Sequence, residues 1–432
     1  MAIQSPPLSS WQPPVDFQPV ASALEGITVY APRPKEAQVE TPVTYKCPNC
    51  GASTQYDVAA GGVACEHCGY ILPVSGEKVG RQAEEHEFTL DALKQAEQTW
   101  GTTHQVLHCD SCGAEILIPP GALTVTCPFC ASNEVGVRAA AVNQIKPNTL
   151  IPFKMTPEAT RSQAKVWLGK GWFHPKDLAT NAVIDRFSGI YLSFWTFAAK
   201  IESRWKAEVG YERTERYYDA STKDWRTRVV IDWRWEDGRV GLSIADLLIP
   251  GNSHVSRTIL EKLLPFNLSE LVEYDPDFLA GWQAQAYDVP LADAWDQGKA
   301  VMRERARQAC RADIQSPHVR NFSMTADFAD EVWRYSLLPV YLAAYRFETR
   351  VYQVMVNGQT GTVAGQKPVA WWKVWLAVAA LLLPGLVVGL VGLLLLAVGI
   401  GIVPLGIALI LLLIGGFIAL KIYQQAVASE AG

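Results

Sequence analysis

Apolar residues follow different rhythms along this chain, and the last of these rhythms is the most demanding. Residues 374 to 420 are 47 positions without one Asp, Glu, Lys, Arg or His. As one helix rising about 1.5 Å per residue they would reach roughly 70 Å, more than twice the roughly 30 Å hydrocarbon core of a bilayer. Two spans fit better, broken at Gly399-Ile400-Gly401-Ile402-Val403-Pro404, where glycine loosens one helix and Pro404 suits the first turn of the next. The expected spans are 373 to 398 and 403 to 422, inside a hairpin anchor of 371 to 423 with a tail of 424 to 432. Lys367 and Lys373 precede the first span and Lys421 closes the second. Positive residues favour the cytosolic side, so the bulk of the chain and its C-terminus are expected in the cytoplasm, at the inner cell membrane. Trp371, Trp372, Trp375 and Tyr423 would then sit at headgroup depth.

Between 148 and 368 the pattern is that of an α+β domain with antiparallel sheet. A helix is expected from 157 to 169, carrying Ala164, Val166, Trp167 and Leu168. Aromatic and β-branched runs then predict strands over 190–201, 205–218, 225–235 and 240–245, with turns at 221–224 and at Asp237-Gly238. Residues 253 to 313 read as a helical insert ending in a helix over 295–312, and strands resume at 318–328, 331–337, 340–347 and 351–356. Asn357-Gly358-Gln359-Thr360-Gly361 marks a tight hairpin. On the last helix Met302, Ala306, Ala309 and Cys310 share one face, which makes Cys310 a small core residue. Arg303, Arg307 and Arg311 form a stripe on another, a solvated face by default.

Toward the N-terminus the periodicity fades. Residues 1 to 42 hold eight prolines, lack the basic and apolar blocks of a signal peptide, and read as a flexible arm. Residues 84 to 103 form a linker in which 88–100 has the spacing of an amphipathic helix.

The cysteines change the picture. Cys47-Pro-Asn-Cys50 and Cys65-Glu-His-Cys68 are followed by Cys109-Asp-Ser-Cys112 and Cys127-Pro-Phe-Cys130, with fourteen residues between the inner cysteines of each set. The second set repeats the first at an offset of 62, and Cys50-Gly51-Ala52 matches Cys112-Gly113-Ala114. Each Cys-x-x-Cys turn aims two thiolates at one point, and two such turns close a tetrahedral shell around Zn²⁺. Two zinc ribbons are therefore expected, at 43–72 and 104–138, each with one structural ion held by four thiolates. A redox dithiol would carry one such motif opening a helix. Segments this small fold only with help, and bound zinc supplies on the order of 10 to 16 kcal/mol.

With 432 residues, 49% hydrophobic, and a formal charge of −5, the chain is multi-domain and far from the extremes of charge. Lys46 is the only basic residue between 43 and 70, and there is no Lys or Arg between 104 and 136. Phosphate backbones are met by such residues, so the ribbons are expected to bind protein and not nucleic acid. Tyr56, Tyr70, Leu117, Ile118 and Phe129 could serve such a contact or form the ribbons' own cores. The phosphate-loop, His-Glu-x-x-His, Gly-x-Ser-x-Gly and dinucleotide signatures are missing, and no catalytic residue is expected. Oligomeric state is left open.

The two ribbons, Leu150-Ile-Pro-Phe153, Leu264-Pro-Phe-Asn-Leu268, Pro276, Leu279-Ala-Gly281, Leu338-Pro-Val-Tyr341, Asn357-Gly-Gln-Thr-Gly361 and the apolar C-terminus together resemble a bacterial family of membrane-tethered double zinc-ribbon proteins. The resemblance covers about 45 to 420 and departs from the family at Ser193, where proline is usual. Such proteins often carry the label of a transcription-factor-IIB-type or primosomal-helicase-like ribbon, which concerns the ribbons alone. The resemblance implies a partnership with flotillin-like (SPFH) and phage-shock membrane proteins; the leading expectation is a non-enzymatic membrane-anchored adaptor, and the alternative is a membrane-tethered nucleic-acid binder.

Overall fold

A computed structural model describes residues 17–20, 29–32, 46–74, 76–82, 85–87, 105–111, 113, 115–118, 127, 135–139, 145–184, 187–221, 223–253, 255–348, 350–396 and 400–431. The expected helix over 88–100 lies outside them. The chain divides into two units, Met1–Val43 and Thr44–Gly432. In the first, where composition suggested only a flexible arm, Phe17–Val20 pairs antiparallel with Val29–Pro32.

The second unit is built on three very long antiparallel strands, Ser188–Asp219, Asp224–Pro250 and His318–Phe347, with the first in the middle. Its burial changes in three stages along the chain. Positions 189 to 197 are all buried, because both faces are covered. From Ala199 to Val209 the pattern alternates: Ile201, Ser203, Trp205 and Ala207 are buried, and Lys200, Glu202, Arg204 and Lys206 are exposed. That is the signature of a sheet with one covered face. Beyond Gly210 most side chains on the strand are exposed.

The cover on the alternating stretch is the helix Leu291–Asp313, whose buried face is Leu291, Ala294, Trp295, Gly298, Met302, Ala306 and Cys310. Cys310 packs with Trp205, Val209 and Ile314, as the sequence predicts for a core thiol. Arg303 and Arg311 lie over the rings of Phe328 and Phe322, at 5.7 and 5.3 Å, and so cap the third strand.

Several expected breaks are absent. The strand Asp224–Pro250 runs straight through Asp237-Gly238, where a turn was expected. The glycine serves a different need: a Cβ there would lie 2.6 Å from the indole nitrogen of Trp205, its cross-strand partner. The runs at 318–328, 331–337 and 340–347 likewise fuse into one strand that contains Pro339. Proline is tolerated there because no ladder bond is needed from it. On that edge Leu150 pairs up to Leu337, the strand Arg350–Asn357 begins pairing at Val340, and Pro339 falls between them.

The insert at 253–313 is only partly helical. After the helix Arg257–Leu263 it continues through short 3₁₀ turns at Leu268–Glu270 and Pro276–Leu279 and through two short strands, Val272–Glu273 and Gln283–Gln285, before the long helix. The helix Pro157–Leu168 matches expectation, with Thr156 capping its start by accepting a bond from the Ala159 N–H and proline in its first turn.

Two apolar helices close the chain, Trp371–Leu396 and Ile402–Ala431, antiparallel to one another. Gly385, Gly389 and Gly392 line the first helix where it meets Leu412, Ala408 and Leu405 of the second. Small residues at i, i+4 and i+7 let the backbones approach closely, the usual device where lipid-like surroundings give helices no hydrophobic reason to associate.

Candidate metal centre and the base of the apolar helices

The first cysteine set is assembled by three short strands, Gln55–Asp57, Gly62–Ala64 and Ile71–Pro73, in an antiparallel sheet. At one end, two tight turns present the thiols. The Cys47 N–H donates to the Ala52 carbonyl (2.7 Å) and the Gly51 N–H returns to the Cys47 carbonyl (2.8 Å). The second turn repeats this, with Cys65 N–H to Tyr70 (2.8 Å) and Gly69 N–H to Cys65 (2.9 Å). Gly51 and Gly69 adopt φ of +73° and +72°, a left-handed conformation that only glycine enters without strain.

All four Sγ atoms lie within 4.8 Å of one another, with Cys47 to Cys68 at 3.5 Å and Cys50 to Cys65 at 3.6 Å. A disulfide would need about 2.05 Å, so these are four separate thiols that could hold a metal ion. Sulfurs at the corners of a tetrahedron with bonds of about 2.3 Å stand roughly 3.8 Å apart, and the observed spacings are close to that. Cys47 and Cys65 are buried while Cys50 and Cys68 face outward. The Cys68 thiol is drawn down, first by the backbone N–H of Tyr70 and then by Cys47, Cys50 and Asn49, while Cys50, despite the backbone N–H of Ala52, is pushed up by desolvation and by the other three thiols, so the four share their protons. A thiolate is the form that binds metal.

Of the second set, Cys109 and Cys127 are both buried, and Cys112 and Cys130 lie outside the described residues. The turn after Cys109 has the same build as the first set: the Gly113 N–H donates to the Cys109 carbonyl at 2.8 Å, and Gly113 has φ of +74°. The strand Gln105–Cys109 pairs with both Glu115–Ile118 and Val135–Ala139.

Sequence reasoning missed how both cysteine regions are attached. Tyr56 is no free docking residue. Its N–H donates to the Ala280 carbonyl at 2.8 Å and its ring meets Phe278 at 5.3 Å, so this face of the ribbon is used within the chain. Glu115–Ile118 adds to the edge of Gln283–Gln285, which in turn pairs with Ile190 and Tyr191 of the first long strand. The signal was present in Leu279-Ala280-Gly281: Gly281 has φ of +74°, and a Cβ on it would collide with Gln55.

Other stretches singled out by their resemblance also converge. Phe153 stacks on Trp282 at 4.4 Å and meets Tyr191 and Tyr341 edge-on. Asn357 is fully buried; its amide donates to the Leu263 carbonyl (3.0 Å) and its oxygen accepts from the N–H groups of Gln359 and Thr360. Gln359 bonds both the N–H and the carbonyl of Asn267 and reaches Glu270, which pairs with Lys154 at 2.6 Å. These hydrogen bonds to Lys154 and Gln359 hold the Glu270 carboxyl below its ordinary range, burial acting the other way. The knot ties together segments 89 to 116 residues apart, and its groups are committed to one another.

At the base of the apolar helices a second junction forms. The Lys367 N–H donates to the Ser429 carbonyl (2.8 Å), joining the start of one helix to the end of the other. Its ammonium bonds the carbonyls of Trp167 (2.6 Å) and Lys170 (3.0 Å) and lies 4.0 Å over the Trp167 ring. Burial, with Lys170 nearby, lowers its pKa to about 8. His174 contacts the Pro368 carbonyl through Nδ1 at 2.9 Å and Ser429 through Nε2, and Arg350 pairs with Glu430 at 3.2 Å. Trp371 and Trp375 gather around Tyr423, with ring centroids at 5.7 and 6.4 Å. Trp172 stands exposed in the adjoining loop, its carbonyl bonded by Lys373.

Among the described residues the geometry shows antiparallel sheets, one four-thiol group able to hold a metal ion, and two helices long and apolar enough to cross a membrane. No family profile matches it, and no solved structure is similar to it. A relative at the sequence level is the uncharacterized protein YdjG of Bacillus subtilis (strain 168), 23% identical over 335 residues that cover 77% of this chain and 92% of that protein.

Proposed function

We propose that this protein is a membrane-anchored zinc-ribbon adaptor without catalytic chemistry, which presents a long sheet to protein partners at the cytosolic face of the inner membrane. The observation that carries the reading is the junction at Lys367, His174, Ser429 and Arg350–Glu430, which fastens the apolar hairpin to the sheet domain at both of its ends. A loosely tethered domain would need no such clamp. In this reading Cys47, Cys50, Cys65 and Cys68 hold one Zn²⁺ and Cys109, Cys112, Cys127 and Cys130 a second, each shell closed and therefore structural. The shared turn geometry at Gly51, Gly69 and Gly113 supports the second site. Lys367, Lys373 and Lys421 flank the apolar helices, which supports reading both outer ends as cytosolic. The bound metals supply folding energy to segments docked on the sheet domain.

SPFH/flotillin-like and phage-shock membrane proteins are the proposed partners. The test is affinity capture of the full-length chain from detergent-solubilised membranes of its host. Enrichment of an SPFH or phage-shock protein over a control membrane protein supports the partnership. Its repeated absence, with the bait intact and zinc-loaded, rejects it.

A further inference from the structure

The third long strand leaves the first at Gly210↔His318, and from there the first two continue alone as a two-stranded ribbon, from Tyr211↔Asp232 to the turn after Asp219↔Asp224. A two-stranded ribbon is at best marginally stable in water by itself, so its two faces are worth comparing.

One face settles its own charges. Arg213 pairs with Asp232 at 3.3 Å, Arg228 with Glu215 at 3.2 Å and Arg226 with Asp219 at 3.4 Å, and Arg228 lies over the Tyr217 ring. The other face carries Glu212, Thr214, Arg216 and Tyr218 opposite Ile231, Val229, Thr227 and Trp225. Val229 is 63% exposed, Trp225 61% and Tyr218 52%. Among the described residues Arg216 makes no ion pair, and Glu212 is engaged through one oxygen only, by His318. This face is mixed at its centre, with Val229 and Ile231 among threonines and two charges, carries Tyr218 and Trp225 at its tip, and is uncovered among the described residues.

We propose that this face binds the same face of a second copy of the chain, the two ribbons antiparallel about a two-fold axis through Thr214 and Val229. Such an axis leaves one strand facing its own counterpart in reverse order. Thr214 then meets Thr214, Val229 meets Val229, and Ile231 meets Thr227. Glu212, one step to one side of the axis, meets Arg216, one step to the other, and the pairing occurs twice. The register thus supplies each unpaired cation with a carboxylate, as an isologous contact requires. About ten residues a side amount to less than half of a standard interface. The contact therefore depends on confinement of both copies to one bilayer, which raises their effective concentration. The inference rests on the membrane anchor and needs neither the metal nor another protein.

The test uses the full-length chain in lipid vesicles, with vesicle flotation checked first so that a failure of the anchor is seen separately. A photoreactive benzophenone side chain at Val229 should give a cross-linked product of twice the chain mass; the same group at Val230, on the opposite face, should not. Glu212→Arg or Arg216→Glu should each lower the yield about tenfold by creating two like-charge pairs, and the double swap E212R/R216E should restore it. These side chains are exposed, so the fold is not at stake. No dimer in floated vesicles, a dimer indifferent to either reversal, a swap that fails to restore it, or cross-links only to a different protein would each overturn the proposal.

Discussion

Gly238 offers the sharpest check on how the long strands are built. Replaced by alanine, it would place a Cβ 2.6 to 2.8 Å from three atoms of the Trp205 indole. Trp205 is buried against Ala207, Val209, Cys310 and Ile314, and its N–H donates to Asp313 at 2.9 Å. The ring cannot move without losing that bond or pressing into the helix Leu291–Asp313. Overpacking of this kind costs about 1 to 3 kcal/mol, and a hydrogen bond to a charged acceptor about 1.5 to 3 kcal/mol. The losses overlap, and alanine regains about 0.5 to 1 kcal/mol of chain entropy in a strand, so the net expectation is a loss of about 1 to 3 kcal/mol. Gly241, three residues on in the same strand, has nothing within 4 Å of an added Cβ. There alanine should stabilise by about 0.5 to 1 kcal/mol. Native-state hydrogen exchange of the strand amides around 205–209 and 236–243 reads both: opening should be roughly five- to a hundredfold more frequent in Gly238→Ala and rarer in Gly241→Ala. Adding Trp205→Phe should recover part of the first loss. If the two alanines shift exchange equally, the close approach of Trp205 does not explain this glycine.

Zinc analysis of the purified full-length chain should give two ions per chain and about one after Cys65→Ser; two retained would reject the first site's ligand set. The Lys367 pKa lies near 8 in the folded protein against an ordinary 10.5. The unfolded chain thus holds the extra proton between those values, and stability should rise as pH increases from about 8 to 10. That rise should vanish in Lys367→Met, measured as the difference in thermal midpoint between the two chains in detergent; identical pH slopes would refute it. His174, lowered mainly by burial, has the same sign, so acidification through about 6.5 should loosen the helix base, seen as a change in emission of the nearby tryptophans and abolished in His174→Asn. Asn357→Ala should cost about 2 to 4 kcal/mol, since it orphans two backbone N–H groups and the Leu263 carbonyl; a midpoint shift below a degree would mean the turn holds without it.

The features legible in sequence were those that depend on local spacing. Cysteine gaps located the four-thiol group, an uncharged run located the two helices, and Thr156-Pro157 opened a helix where expected. The strand ends were harder. Glycine and proline usually punctuate, but Gly238 is there to admit an indole and Pro339 sits where its missing N–H is not needed, so both were read as interruptions. Docking was invisible for the opposite reason. Tyr56 finds Ala280 more than two hundred residues away, and nothing in the spacing of either stretch announces that meeting.

The unbroken run of the three long strands has a mechanical consequence. At about 3.3 Å per residue, thirty residues span on the order of 100 Å, so the sheet acts as a lever whose short end is gripped beside the helices. One degree of tilt at that grip would sweep the far turn through roughly 1.7 Å. Small adjustments at Lys367 or His174 would therefore be read out, magnified, at the distant tip.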